Sequence, residues 1–276
     1  MVSIPHSWLL ALARAVELSG LGASRLEVCR IDVPVPDLPA DLDGFCIAQV
    51  SDLHVGEGAW GPRHTQEAVD SMRAVDPDVV INTGDFMQWE PDIETVGREV
   101  SGFVLPYTKQ FQTNRNIAIL GNHDYYPGQE TAQKLRLELE SVGVRVLEND
   151  DVCIPRGRAA VSFIGLTADA PGWDQGIERL LAATHPRVAL VHKPDSAEYL
   201  PRGAADLVLA GHTHGGQFTL PGLESWVAWK FARTRYVAGM YTINEMPVYT
   251  NRGLGTTGLP LRFRARPELT LLRLVR

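Results

Sequence analysis

The chain has 276 residues, 45% hydrophobic and 21% charged, ordinary proportions for a soluble globular protein with a sizeable core. A formal net charge of -7 argues against a general nucleic-acid binder, whose affinity comes from a basic surface. It does not exclude an anionic small substrate, because bound cations would reverse the local field.

Taken in chain order, the first segment, MVSIPHSWLLALARAVELSGLG, is apolar but interrupted by Arg14 and Glu17. It has no basic leader and makes a poor signal peptide. No stretch of eighteen apolar residues exists, so no transmembrane helix is expected. Trp8, Leu9, Leu12, Ala13, Val16 and Leu21 fit one helical face, which covers a core or, alternatively, lies on a membrane surface. The proline-rich DVPVPDLPADLDG at 32–44 reads as an extended lead-in to the first core strand.

Short apolar runs then alternate with helical patterns. FCIAQV runs into Ser51-Asp52, DVVINT into Gly84-Asp85, and NIAIL into Gly121-Asn122-His123-Asp124. RVALV runs into His192-Lys193-Pro194, and DLVLA into Gly211-His212. Runs of this length, rich in β-branched residues, predict buried strands. Residues 64–75 and 129–143 predict helices between them. The class is therefore α/β. In such sheets ligands bind beyond the carboxyl ends of the strands, where all five polar clusters fall. No internal repeat, low-complexity segment or domain boundary is evident. The chain reads as one domain over 1–276, with a lead-in at 1–44 and an aromatic insert or lid at 218–241. That segment carries Phe218, Trp226, Trp229 and Phe231 with Lys230, Arg233 and Arg235 interleaved. It folds onto the core or, alternatively, forms an apolar channel or membrane-facing lid whose basic residues meet phosphate head groups. Residues 252–276 hold six arginines and one acid, Glu268, which suits a solvated tail with a strand in it or arginines facing an anionic substrate. Arg252, set among glycines in NRGLG, is the candidate phosphate contact. Cys29, Cys46 and Cys153 are far apart and in no metal-type spacing, which predicts buried thiols in a reducing compartment.

The strand-end clusters carry metal-binding chemistry. Asp52 and His54 stand at i and i+2, a spacing that points both side chains the same way on an extended strand end. His212 and His214 repeat it. Asp85, Asn122 and His192 complete seven hard or borderline ligands. That is too many for one octahedral ion with open positions, and it suits two ions sharing a carboxylate. The mixed N/O set favours Mn, Fe or Zn over Ca or Mg. Five of the chain's eight histidines fall in these clusters: His54, His123, His192, His212 and His214.

SDLHVG, TGD, GNHD, VHKPD and GHTHGGQ, in this order, resemble the calcineurin-like metallophosphoesterase superfamily. The stretches RYVAGMY and YTNRGLGTTGLPLRFRARPELTLLRL further resemble its bacterial YaeI/YkuE-like phosphodiesterase branch. The resemblance implies a four-layer α/β/β/α sandwich of two mixed sheets flanked by helices. It implies that Asp52, His54 and His214 hold one divalent ion, that Asn122, His192 and His212 hold a second, and that Asp85 bridges them. His123 would contact a phosphate oxygen and act as general acid, with Asp124 fixing its tautomer. Two-metal chemistry brings the pKa of water from 15.7 to about 7, and the resulting hydroxide attacks phosphorus in line.

The resemblance thus implies a phosphodiesterase or, alternatively, a pyrophosphatase acting on a lipid-linked nucleotide sugar such as UDP-2,3-diacylglucosamine. A phosphoprotein phosphatase fits less well, because Asp124 stands where that branch carries Glu and no GDVHG pattern surrounds Asp52. A non-catalytic scaffold fits less well too, because every ligand position is filled. The partner is then a small-molecule or lipid phosphoester, in the cytoplasm, with peripheral contact to the inner membrane through 1–22 and 218–241 as a further expectation.

Overall fold

The computed structural model describes residues 25–55, 62–88, 93–104, 115–217, 234–257 and 262–276. The predicted N-terminal amphipathic face and most of the aromatic segment, 218–233, lie outside the described residues.

Strand β1 (Glu27–Pro34) opens the described chain, followed by β2 (Phe45–Val50), helix α1 (Pro62–Val75), β3 (Val79–Asn82) and α2 (Ile93–Ser101). Then come β4 (Asn116–Ala118), the short α3 (Asn122–Tyr125), α4 (Gln129–Ser141) and β5 (Arg145–Val146). The second half contains β6 (Asp150–Arg156), β7 (Ala159–Leu166), α5 (Trp173–Ala182), β8 (Arg187–Val191) and β9 (Leu207–Ala210). It closes with β10 (Gly239–Ile243), β11 (Met246–Thr250) and β12 (Glu268–Val275). All five strands expected from apolar runs form, and so do both expected helices.

The strands make two six-stranded sheets, ordered β1-β12-β2-β3-β4-β5 and β10-β11-β9-β8-β7-β6. Each is mixed. In the first, β12 pairs parallel to β1 and antiparallel to β2, and the rest are parallel. In the second, β7, β8, β9 and β11 are parallel, with antiparallel edges β6 and β10.

Period-two alternation builds the layers. On β2, Phe45 and Ile47 face a core shared with Phe163, Leu190 and Leu209 of the second sheet. Ala48 and Val50 face the other way, onto Val69 and Met72 of α1 and Leu135 and Leu139 of α4. The outer face of the second sheet packs Ile164, Val191 and Val208 against Leu180 of α5. The result is the α/β/β/α sandwich implied by the resemblance.

Four features depart from the sequence reading. The proline-rich lead-in begins inside a strand, because the backbone of 27–34 pairs along its whole length with β12. The strand expected in the tail forms at 268–275, but it is an interior strand of the first sheet rather than part of a solvated tail. Residues 234–241, the end of the proposed lid, are built into the body: Tyr236 is buried in the outer core, Thr213 Oγ1 donates to Val237 O at 2.5 Å, and 239–241 belong to β10. The cysteines are free, with Cys29 and Cys46 half-buried and Cys153 exposed rather than buried. Among the described residues, no helix is long and apolar enough to cross a membrane.

Close packing between the sheets sets a test at Gly165 on β7. A methyl there would stand 2.4 Å from Leu147 Cβ and 2.8 Å from Ile119 Cγ2. Relief of unfolded-chain entropy would favour alanine by about 0.4–1 kcal/mol, but overpacking costs about 1–3 kcal/mol. Gly165→Ala is expected to lower the urea unfolding midpoint; an unchanged or raised midpoint would show that the sheets can separate there at no cost.

Candidate metal centre

The carboxyl ends of β2, β3 and β4 in the first sheet face the ends of β8 and β9 in the second. Gln49 ties the two beneath the site: its Nε2 donates to Thr83 Oγ1 at 3.2 Å and to the Ala210 carbonyl at 3.0 Å. Above this tie, three overlapping groups of ligand atoms form. They are Asp52, His54 and His214; Asp85, His192 and His212; and His54, Asp85 and His123, each with ligand atoms within 4.8 Å of one another.

In the first group, His54 Nε2 and His214 Nε2 stand 3.0 Å apart, and His214 Nε2 lies 3.5 Å from Asp52 Oδ1. In the second, His192 Nε2 lies 3.1 Å from Asp85 Oδ2. Asp85 also reaches the first group, with Oδ2 3.6 Å from His54 Nε2. Asp85 belongs to two of the three groups, and His214 and His212 fall in different ones. Glycine at 121 and 211 is required for this density. A Cβ on Gly121 would stand 2.2 Å from Asp85 Oδ1, and one on Gly211 2.5 Å from Asp52 Oδ2.

Strand alternation is not what brings the paired ligands together. Asp52, His54, Asp85, His212 and His214 all lie beyond their strands with positive φ, between 47° and 73°. Each such residue costs roughly 1–2 kcal/mol relative to ordinary backbone. It persists only where the surroundings over-determine it.

The donor set fits divalent cations. Asn122 Oδ1 is buried and has no hydrogen-bond partner, and His192 Nε2 is buried against Asp85 Oδ2 at 3.1 Å. Their opposite atoms are occupied: Asn122 Nδ2 donates to Tyr126 Oη at 2.9 Å, and His192 Nδ1 donates to the Thr83 carbonyl at 2.7 Å. Asn122 therefore presents an oxygen lone pair to the interior. Burial drives the His54 and His212 pKa values down to about 3 and that of His214 well below its usual range, so these rings stay neutral with lone pairs available. Burial would also neutralise His192, but the charge of Asp85 outweighs it and pushes its pKa up to about 9. Burial likewise raises Asp52, to about 6. For Asp85 burial acts the same way, yet the charge and hydrogen bond of His192 win and hold it well below the carboxylate range. The pocket favours a positive charge between these groups.

His123 stands beside both groups, its ring perpendicular to that of His54 at 4.7 Å and packed against Tyr126 at 4.8 Å. Its Nδ1 lies 3.0 Å from the Gln88 carbonyl. Asp124 does not perform the role expected of it. Its carboxylate accepts from the backbone N–H groups of Asp85, Phe86, Met87 and Gly121, at 2.8–3.1 Å. It shapes the Asp85 turn, and Gln88 orients His123. Burial and the charge of Asp85 push Asp124 up to about 7, against those amides.

Arg252 is also placed differently. Its stem packs over Gly215, but its guanidinium pairs with Glu268 and, at 3.1 Å, with Glu27. The arginine at the centre is Arg262, 5% exposed, with Nη2 3.3 Å from His214 Nδ1. Burial lowers its pKa to about 9 while Asp52 opposes. The sequence offered one signal for it, the density of arginines after residue 252, and nothing to single it out. Tyr126, 60% exposed beside Asn122 and His123, was likewise unmarked.

Strand ends from two sheets that pool carboxylates, imidazoles and an amide define a metal-dependent hydrolase of phosphoester bonds. The chain belongs to the calcineurin-like phosphoesterase family, whose model matches residues 46–216. It is 30% identical over 241 residues to the uncharacterized metallophosphoesterase YkuE of Bacillus subtilis, covering 86% of this chain and 81% of that protein. It is 33% identical over 202 residues to the phosphodiesterase YaeI of Escherichia coli, covering 72% and 71%. A transmembrane protein with metallophosphoesterase domain from Danio rerio is 28% identical over 260 residues, and the match spans 56% of its length. Among solved structures, the NAD nucleotidase of Haemophilus influenzae shares the fold at a TM-score of 0.50 and 13% identity, covering 78% of this chain and 45% of that one.

Two outcomes follow for the centre. An ion that binds only the folded chain stabilises it by about 2.7 kcal/mol per site at a free concentration 100 times its dissociation constant. Chelation is therefore expected to lower the melting temperature and re-addition to restore it; a melting curve indifferent to chelator would contradict the centre. Separately, Asp124→Ala strips four backbone N–H groups of their acceptor, at about 1–3 kcal/mol for each left unsatisfied. It is expected to lower both melting temperature and metal content, and retention of full metal content would show that the Asp85 turn holds itself.

Proposed function

We propose that the protein is a phosphodiesterase working with two divalent ions, and that its substrate is a small-molecule or lipid phosphoester. The observation that carries this reading is the meeting of two ligand groups at Asp85, with His123 alongside. The similarity to a named phosphodiesterase supports the diester preference.

In this reading Asp52, His54 and His214 hold one ion, Asn122, His192 and His212 the other, and Asp85 both. The mixed nitrogen and oxygen donors suit manganese, with iron or zinc as alternatives. Ions held there would supply Lewis acidity toward the phosphoryl oxygens and would lower the pKa of an attacking water. The chain's own groups do the rest. The left-handed ligand backbones set the spacing of the two groups before substrate arrives. His123, with Nδ1 turned to the Gln88 carbonyl, presents Nε2 to the departing oxygen and hands it a proton. Attack breaks one P–O ester bond and forms one new P–O bond. The leaving alcohol takes the proton from Nε2, the attacking water gives one up to solvent, and His123 is reprotonated from solvent before the next turnover. No side chain forms a covalent bond to phosphorus.

The test is turnover of bis-p-nitrophenyl phosphate against p-nitrophenyl phosphate after reconstitution with Mn²⁺, for the parent and His123→Ala. The diester is expected to be the better substrate. His123→Ala is expected to keep its metal and lose about 10²–10⁴-fold in turnover. The loss should be largest for alkyl leaving groups and smaller for p-nitrophenolate, which needs little protonation. Equal losses across leaving groups would overturn the acid role. A clear preference for the monoester would overturn the diesterase reading.

A further inference from the structure

Arg262 lies 48 residues beyond the last ligand, yet its side chain is among the most hydrogen-bonded in the protein. Nε donates to the Gly255 carbonyl at 2.8 Å. Nη1 donates to the carbonyls of His214 at 3.3 Å and Ala265 at 3.1 Å. Nη2 donates to the carbonyls of Arg252 at 2.8 Å and Gly253 at 3.1 Å, also reaches the Gly255 carbonyl, and faces His214 Nδ1. No carboxylate of the described residues pairs with it. Burying a guanidinium without a counter-ion costs several kcal/mol unless its hydrogen bonds are satisfied. An apolar side chain would fill the same space without that cost. What the guanidinium adds is five donors in a rigid planar fork, able to fix separate backbone segments at once.

Two of those segments adjoin the first group of ligands. Residues His214, Gly215, Gly216 and Gln217 have consecutive positive φ values of 52°, 60°, 77° and 46°. His214 and Gln217 would not adopt this unaided. The other segment, 253–255, sits on the backbone beneath the first carboxylate. Leu254 N donates to the Ser51 carbonyl at 2.9 Å and Gly255 N to the Asp52 carbonyl at 2.8 Å. Arg262 thus bridges the His214 turn to the strip that presents Asp52, with the first ion's third ligand, His54, two residues further on. It makes no hydrogen bond to Asn122, His192 or His212.

We propose that Arg262 is a positioning residue for one ion of the pair. It clasps the His214 turn and the 253–255 loop against Asp52, and so sets the geometry of Asp52, His54 and His214 without acting on the second group. The proposal rests on the two-ion reading above.

The experiment measures Mn²⁺ binding to the full chain by elemental analysis after desalting and by titration with electron paramagnetic resonance. It compares the parent with Arg262→Ala, Arg262→Lys and, as control, Arg202→Ala, an exposed residue paired with Glu245 far along the chain. Circular dichroism verifies folding. The parent and the control are expected to bind two ions in a coupled pair. Arg262→Ala is expected to retain one ion at parental affinity, to bind the other about 10–100-fold more weakly, and to show an isolated Mn²⁺ signal. Millimolar guanidinium is expected to restore the coupled signal, which a general packing defect would not allow. Arg262→Lys, with three donors on a point charge, is expected to fall between. If Arg262→Ala folds and binds two ions as the parent does, or loses both equally, the proposal is wrong. If Arg262→Ala does not fold, Arg262→Lys decides on the same criteria. Failure of both to fold makes Arg262 a folding residue and overturns the proposal too. A parent chain that binds fewer than two ions would instead refute the two-ion reading, independently of Arg262.

Discussion

The constraint from which the rest of the structure follows is the crowding of two carboxylates and four ligand imidazoles into a space nearly closed to water. Asp52 and Asp85 are almost fully buried, and His54 is completely so. Like charges at this distance and depth are unstable without a cation or a shared proton. The shifts of these groups express that demand: Asp52 moves toward its neutral form, while His192 becomes a cation to face Asp85. Divalent ions would answer the same demand with a larger charge, and Asn122 Oδ1 is buried beside these groups without a hydrogen-bond partner.

Both ligand groups draw on both sheets. Asp52 and His54 follow β2 in the first sheet, while their partner His214 follows β9 in the second. Asn122 follows β4, while His192 and His212 follow β8 and β9. Neither sheet alone supplies the whole of either group of candidate ligands, so these groups come together only as the inter-sheet core of Phe45, Ile81, Phe163 and Leu209 closes. Metal affinity and sandwich stability are then linked, because whatever separates the sheets separates the ligands. Gln49 sits at this seam, hydrogen-bonded to both sheets just below the ions' place. The strained ligand backbones belong to the same economy: five left-handed residues are tolerable where amides such as those gathered by Asp124 fix the turns around them.

The carboxyl-terminal stretch is part of this centre rather than an appendage. Strand β12 lies between β1 and β2, antiparallel to the strand that carries Asp52 and His54. The loop before it lies on the Asp52 backbone, and Glu268 at its start gathers Arg252, Tyr249 and Thr270 in a buried polar knot. The arginines of this stretch have separate tasks as a result. Arg252 neutralises Glu268 and Glu27, Arg273 pairs with Asp32 on the neighbouring strand, and Arg262 stands against His214.

Local physics was enough to read much of this from the sequence. Five apolar runs specified five buried strands, because β-branched residues in short blocks bury well on both faces of a parallel sheet. The donors at their ends were legible because carboxylate, imidazole and amide side chains among glycines have few other uses at strand termini. What the sequence could not determine were contacts between residues distant along the chain. Asp124 was assigned to His123, its neighbour, whereas it accepts amides from a turn 37–39 residues away. Arg252 had the more suggestive setting, whereas Arg262 reaches the ligand. The pairing of Asp52 with His54 was read from strand alternation, whereas left-handed backbone beyond the strand produces it. In each case the deciding quantity is which buried hydrogen-bonding group finds which partner. That is settled only when the two sheets close and every donor must be satisfied at once.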